Sequence, residues 1–160
     1  DRDATDDPTR KYCTGKLLEV LEPIFNDYHD WKDETAPPKN RELSPEEKER
    51  ARQAAANFVQ DLEHELFEHY SEPDKLGHPA ASGKYKERFR MITFNLAKED
   101  RVILRRRIAF AELTPSELAQ MSSTELANEQ TKQAIEHALK ESLEHSILES
   151  RITAPRAKMT

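Results

Sequence analysis

Between its prolines, this chain repeats apolar residues three or four positions apart, a spacing that fits helices and not strands. Tyr85, Phe89, Ile92 and Leu96 follow one another by four, three and four, which sets them on one face of a helix. Cys13, Leu17, Val20 or Leu21, Ile24 and Tyr28 keep the same rhythm upstream, and so do Ala51, Ala55, Phe58, Leu62 and Leu66. The alternation of Val, Ile and Thr that a half-buried strand needs is absent. The expected fold is therefore an all-α helical bundle. Hydrophobic residues (36%) and charged residues (35%) are nearly balanced, as in helices with one apolar stripe and a wide wet face. At 160 residues, one domain is expected, large enough to bury a core without disulfides or metals.

Helix punctuation divides the chain. Residues 1–8 are acidic and polar and are expected to be a disordered lead. A first helix begins at Pro8 or Thr9, and Pro23 is expected to break or kink it, because proline lacks an N–H and its ring clashes with the previous turn. Residues 29–43, with Pro37-Pro38, read as an exposed loop. Ser44-Pro45-Glu46-Glu47 is a helix start with a capping box, and that helix should run to about Tyr70. Residues 71–83 hold Pro73, Gly77, Pro79 and Gly83 and read as a second loop. Asp100 is expected to cap a short helix from Arg101 to about Phe110. Thr114-Pro115-Ser116-Glu117 and Ser122 with Glu125 repeat the cap signal. A long helix is expected to start at Asn128-Glu129 and to carry Thr131, Ile135, Ala138 or Leu139, Ser142 and Ser146 or Ile147. The helical domain thus spans 9–150, and 151–160, where Pro155 ends any regular structure, is a basic tail or linker.

Several function classes have no signature. The single cysteine, Cys13, excludes an internal disulfide and a thiolate zinc site, and points to a reducing compartment, cytosol or nucleus. No apolar run reaches the roughly 18 residues of a membrane span. His64 and His69 are five apart, and His137 and His145 eight apart, whereas helical zinc-site pairs are about three or four apart. No nucleophile motif frames a serine, and Glu63, Glu65 and Glu68 read as a wet face. The expectation is no enzyme, no metal and no cofactor. The chain opens on Asp1, so it reads as a segment of something longer.

The net charge of −6 conceals an asymmetry. Lys84–Arg107 carries nine basic and three acidic residues, while Asp1–Gly83 carries eleven and twenty, and Ala111–Ser150 two and eight. A basic segment in an acidic protein marks either a directed electrostatic contact or a solvated face. Lys84, Lys86, Arg88 and Arg90 surround the Tyr85 and Phe89 stripe, whose spacing favours core packing over base stacking. In Arg105-Arg106-Arg107, a wheel with Leu104 at zero puts Ile108 at about 40°, Ala111 at about −20° and Arg107 at about −60°. The same wheel puts Arg105 at about 100° and Arg106 at about 200°. Arg107 is accordingly expected to be structural, and Arg105 and Arg106 to face outward. Lys84, Lys86, Arg88, Arg105 and Arg106 are the candidate docking residues.

The run Lys84-Tyr85-Lys86-Glu87-Arg88-Phe89-Arg90 through Asn95-Leu96 resembles the central domain of transcription elongation factor S-II. Leu104-Arg105-Arg106-Arg107-Ile108, Leu113-Thr114-Pro115-Ser116-Glu117-Leu118-Ala119, Met121-Ser122-Ser123 and Glu125-Leu126-Ala127 continue the likeness in order. Thr9-Arg10-Lys11-Tyr12-Cys13 and Leu66-Phe67-Glu68 are similar to its first two helices. Ala111 stands where the family has glycine. Ser71-Glu72-Pro73-Asp74-Lys75 and Glu144-His145-Ser146-Ile147-Leu148 look more like the form found in fungal PHD-finger and SPOC-domain transcription factors. The resemblance implies a three-helix core with additional N-terminal and short helices. It also implies a nuclear, non-catalytic module docking on RNA polymerase II, at the jaw of its largest subunit. Two other readings stand beside it. One is a nucleic-acid-binding module using residues 84–107. The other is the central domain of a transcript-cleavage factor, whose zinc ribbon these residues do not supply.

Overall fold

Local capping chemistry sets where the helices begin. The structure, a computed structural model, describes residues 7–38, 41–127 and 138–145. Helix α1 spans Pro8–Tyr28, and Asp7 caps it by accepting from the backbone N–H of Thr9 and Arg10. Helix α2 spans Pro45–Tyr70 and opens with the expected reciprocal box. Ser44 Oγ accepts from Glu47 N–H, and Glu47 Oε1 accepts from Ser44 N–H. Helices α3 (Gly83–Leu96), α4 (Val102–Ala109) and α5 (Pro115–Gln120) follow. A Thr114–Glu117 box opens α5, and a Ser122–Glu125 box opens the helical residues 123–127.

The three long helices pack on one another, with α4 laid against α1 and α5 against α2. The predicted stripes are the core. Cys13, Leu17, Leu21, Ile24 and Tyr28 meet Ala51, Ala55, Phe58, Leu62 and Leu66, and Tyr85, Phe89, Ile92 and Leu96 close over them. Leu104, Ile108, Leu118 and Leu126 complete it.

Several expectations are corrected. Of the break or kink expected at Pro23, the break does not occur, since α1 continues to Tyr28. Pro23 and Glu19, whose carbonyl loses its donor, are both exposed, so water can serve that carbonyl, while buried Leu21, Ile24 and Phe25 anchor the turn. The 71–83 segment contains a two-residue antiparallel pairing of β1 (Glu72–Pro73) with β2 (Pro79–Ala80), too short to give an alternating pattern. Gly77, at φ +84°, turns the chain between them. Asp100 does not cap α4; Arg101 occupies that position without a side-chain cap. Residues 138–145 are helical but exposed throughout, so Ala138, Leu139 and Ser142 line no core there. Thr131, Ile135, Ser146, Ile147, most of the acidic lead and the 151–160 tail lie outside the described residues.

The largest correction is Glu63, which belongs to the interior and not to a wet face. It is 2% exposed. Arg10 of α1 grips it in a two-pronged pair, with Nε 2.7 Å from Oε2 and Nη2 2.8 Å from Oε1. The Tyr85 hydroxyl of α3 donates to Oε2 at 2.8 Å. The Arg10 guanidinium lies 3.8 Å from the centre of the Phe67 ring. Burial, then the Glu63 charge, push the Tyr85 phenol far above its ordinary range, so it stays a neutral donor. The hydrogen bond to Glu63 raises the Arg10 pKa.

A buried charge left alone is far costlier than a buried pair. Glu63→Ala strands Arg10 and should cost about 3–5 kcal/mol in urea unfolding. The partly exposed neighbour Glu65→Ala should stay within about 0.5 kcal/mol. Equal losses for the two variants would contradict the buried pairing.

Candidate docking surface

The start of α3 is held by the hairpin before it. Ser82, its N-cap, makes no side-chain cap of its own. Instead Glu72 Oε1 accepts from Lys84 N–H at 3.0 Å and from Ser82 Oγ at 2.8 Å. Those bonds, first the backbone one, hold the Glu72 carboxyl below its usual range. A carboxylate there also suits the positive end of the helix dipole. With α3 fixed, Tyr85 and Phe89 face inward and Lys84, Lys86 and Arg90 face solvent.

Two of those cations border a groove of about 330 Å³ between α1 and α3. Pro8, Thr9, Tyr12 and Cys13 form one wall, and Lys86, Phe89 and Arg90 the other. Tyr12 is 61% exposed and meets Phe89 edge-on, with ring centres 6.5 Å apart. Burial pushes the Cys13 thiol up, so it enters the groove as a neutral, weakly reactive group. An exposed aromatic beside paired cations offers both apolar contact and charge.

Two of the five predicted docking residues are engaged inside the fold. Arg88 donates from Nε to the Ala119 carbonyl at 2.8 Å and from Nη2 to the Met121 carbonyl, and its guanidinium lies over Tyr70. It thereby satisfies carbonyls at the end of α5, which the helix itself leaves unpaired. Arg105 is 8% exposed, and its Nη1 lies 3.3 Å from both the Leu96 and Lys98 carbonyls at the end of α3. The expectation that Arg105 faces outward is therefore wrong.

The error has a definite source. The wheel took Ala111 as an inner-face residue, but α4 stops at Ala109, and Ala111 is exposed at φ +58°. The buried residues are Leu104, Arg105 and Ile108, which centres the inner face near +45° on the same wheel, at about 100° per residue. Arg105 lies inside that sector and Arg107 at its edge, half-buried. Beyond Ala109 the chain closes a Schellman motif. Glu112 N–H donates to the Arg107 carbonyl at 2.8 Å and Ala111 N–H to the Ile108 carbonyl at 3.1 Å. The left-handed residue of that motif suits glycine.

Arg106 remains outward, half-buried, at a separate place. Its Nε donates to the Asp33 carbonyl at 3.1 Å, and its guanidinium lies over Phe110. Lys86 and Arg90 flank the first turns of α1, whereas Asp33 lies just past its end. The 21-residue helix separates the two places by about 30 Å. The basic segment is thus two patches and not one. Tyr12, which sequence reasoning passed over, was visible as an aromatic one position off the Cys13–Leu17 stripe.

Two melting experiments follow from this division. Arg105→Ala should cost about 1–3 kcal/mol by stripping donors from buried carbonyls, and Arg106→Ala clearly less. Ala111→Gly should stabilise the domain by about 1 kcal/mol, because a Cβ in the left-handed region costs about that much. A destabilised Ala111→Gly, or an Arg106→Ala loss exceeding that of Arg105→Ala, would contradict the described end of α4.

Comparison with known proteins places these elements. No curated protein and no solved structure matches the chain. Residues 5–146 match the family described as transcription factor S-II (TFIIS), central domain. That span takes in the three packed helices, the hairpin, the groove and both arginine clamps. The chain belongs to the TFIIS central-domain family.

Proposed function

We infer that this domain docks on RNA polymerase II as a non-catalytic module of a larger elongation- or chromatin-linked factor acting in the nucleus. Family membership supports the partner. The observation that carries the surface is the α1–α3 groove, where Lys86 and Arg90 stand beside exposed Tyr12. With Lys84 they form the docking face in this reading, and an acidic polymerase surface, the jaw of the largest subunit, is its counterpart. Arg106 serves as a secondary contact, and Arg88 and Arg105 are left to hold helix ends. No helix among the described residues is long and apolar enough to cross a membrane. The Ser71–Lys75 and Glu144–Leu148 likenesses support the fungal PHD-finger and SPOC-domain setting. We take 9–150 as the docking unit and 151–160 as a linker.

One observation favours a nucleic-acid reading. Tyr12 and Phe94 are both well exposed, and each has a lysine ammonium over its ring, Lys16 at 5.8 Å and Lys98 at 4.4 Å. Bases stack on aromatics so flanked. The overall charge of −6 opposes it, since nucleic-acid binders present a net basic domain.

Reversing Lys86 and Arg90 to Glu should weaken binding to purified RNA polymerase II by roughly tenfold or more, about 1.4 kcal/mol. The melting temperature should hardly move. Arg106→Glu should weaken binding less. The wild-type affinity should also fall as salt rises, because exposed charges are screened within about 8–10 Å. Unchanged polymerase affinity in the double variant would sink the assignment of this face. Tight, salt-sensitive binding of single-stranded RNA without polymerase binding would favour the second reading.

A further inference from the structure

Three potential ligand atoms converge where α1 ends and α2 begins. His29, the C-cap of α1, places Nε2 3.4 Å from Asp30 Oδ2 and 3.9 Å from Glu47 Oε2. All three ligand atoms lie within 4.8 Å of one another. The His29 side chain is only 17% exposed, and Nε2 itself is buried with no hydrogen-bond partner. Glu47 is held in place by its other oxygen, since Oε1 accepts from Ser44 N–H in the capping box. The Ser44 hydrogen bonds, first the backbone one, hold the Glu47 carboxyl below its usual range, with lesser contributions from His29 and then Arg41. Arg41 Nη1 donates to the Asp27 carbonyl and its guanidinium faces the Trp31 ring.

Two carboxylate oxygens and an imidazole nitrogen gathered at one point form a set of ligand atoms that a cation can bridge. We propose that this point binds a divalent transition-metal ion of the zinc class, through His29 Nε2, Asp30 Oδ2 and Glu47 Oε2, with water in the remaining position. Zinc holds nitrogen and oxygen ligands at about 2.0–2.2 Å in a tetrahedron, which sets neighbouring ligand atoms about 3.3–3.6 Å apart. The two separations from His29, 3.4 and 3.9 Å, are close to that, and the Asp30 and Glu47 oxygens lie within 4.8 Å of each other. The imidazole argues against magnesium and calcium, which take oxygen ligands. No sequence spacing announces the site, because Glu47 is brought to His29 across the 29–44 loop. The ion would pin the end of α1 to the start of α2. The inference is independent of the docking reading.

The test is calorimetric titration of zinc chloride into the EDTA-treated 160-residue chain at neutral pH. The background is His64→Ala/His69→Ala, which removes two exposed imidazoles that each lie beside a carboxylate. One equivalent should bind, and zinc should raise the melting temperature reversibly with EDTA. His29→Ala, Asp30→Asn and Glu47→Gln should each weaken binding by at least about tenfold, since each removes one of three protein ligands. Glu47→Gln retains the capping acceptor, and circular dichroism would confirm that each variant stays helical. No binding overturns the proposal. So does binding that all three variants leave unchanged, and then the His29 contacts are only an ion pair formed when the imidazole is protonated.

Discussion

A carboxylate placed among three helices has to be neutralised and fully hydrogen-bonded, or the helices will not close over it. Glu63 meets that condition with contributions from all three long helices: its own backbone on α2, the Arg10 fork from α1 and the Tyr85 hydroxyl from α3. Hydrophobic burial drives the association but is not directional. The forked pair is directional, so it fixes rotation and register. Arg10 sits at the first turn of α1 and Tyr85 at the first turn of α3, and the groove that we assign to docking opens beside both. A shift of one turn in either helix would undo the pair and rearrange the groove together. Polar interiors of this kind do not always add stability over an apolar replacement. Here the geometry makes the pair the element that specifies a single arrangement.

The arginines divide by what their guanidinium reaches. Arg88 and Arg105 reach carbonyls at or just past the ends of α5 and α3. The last turn of a helix leaves its carbonyls without an intrahelical partner, and in α5, with only six residues, these are a large fraction of the helix. Cross-helix arginines therefore do for these ends what backbone hydrogen bonds cannot. Of the five predicted docking residues, Lys84, Lys86 and in part Arg106 are left to meet a partner, with Arg90 exposed beside them. A count of basic residues along the chain overstates the docking charge for that reason.

Features written in neighbouring residues were legible in the sequence. The Ser44–Glu47, Thr114–Glu117 and Ser122–Glu125 boxes each involve residues three apart, and the inner stripes of α1, α2 and α3 follow from helical spacing alone. The 71–83 hairpin was not legible, because two paired residues per strand carry no periodicity. Glu63 was misread because its polarity signals solvent unless Arg10, fifty-three positions away, is known to meet it. Arg105 was misread because one residue, Ala111, was assumed to extend α4 when it instead turns left-handed. In the proposed docking face, Lys84 and Lys86 were picked out from charge and spacing, and both are exposed. Tyr12 and the groove arise from tertiary packing of α1 on α3, which no local pattern encodes.

The most direct test of the docking assignment is hydrogen–deuterium exchange of the domain with and without RNA polymerase II. Backbone amides buried against a partner, or stabilised by it, exchange more slowly. Complex formation should protect the first turns of α1 around Tyr12 and the first half of α3 from Lys84 to Arg90, leaving the exposed face of α2 unchanged. Protection confined to α4 and the Asp33 loop, or to the 138–145 helix, would contradict the account and move the docking face away from the groove.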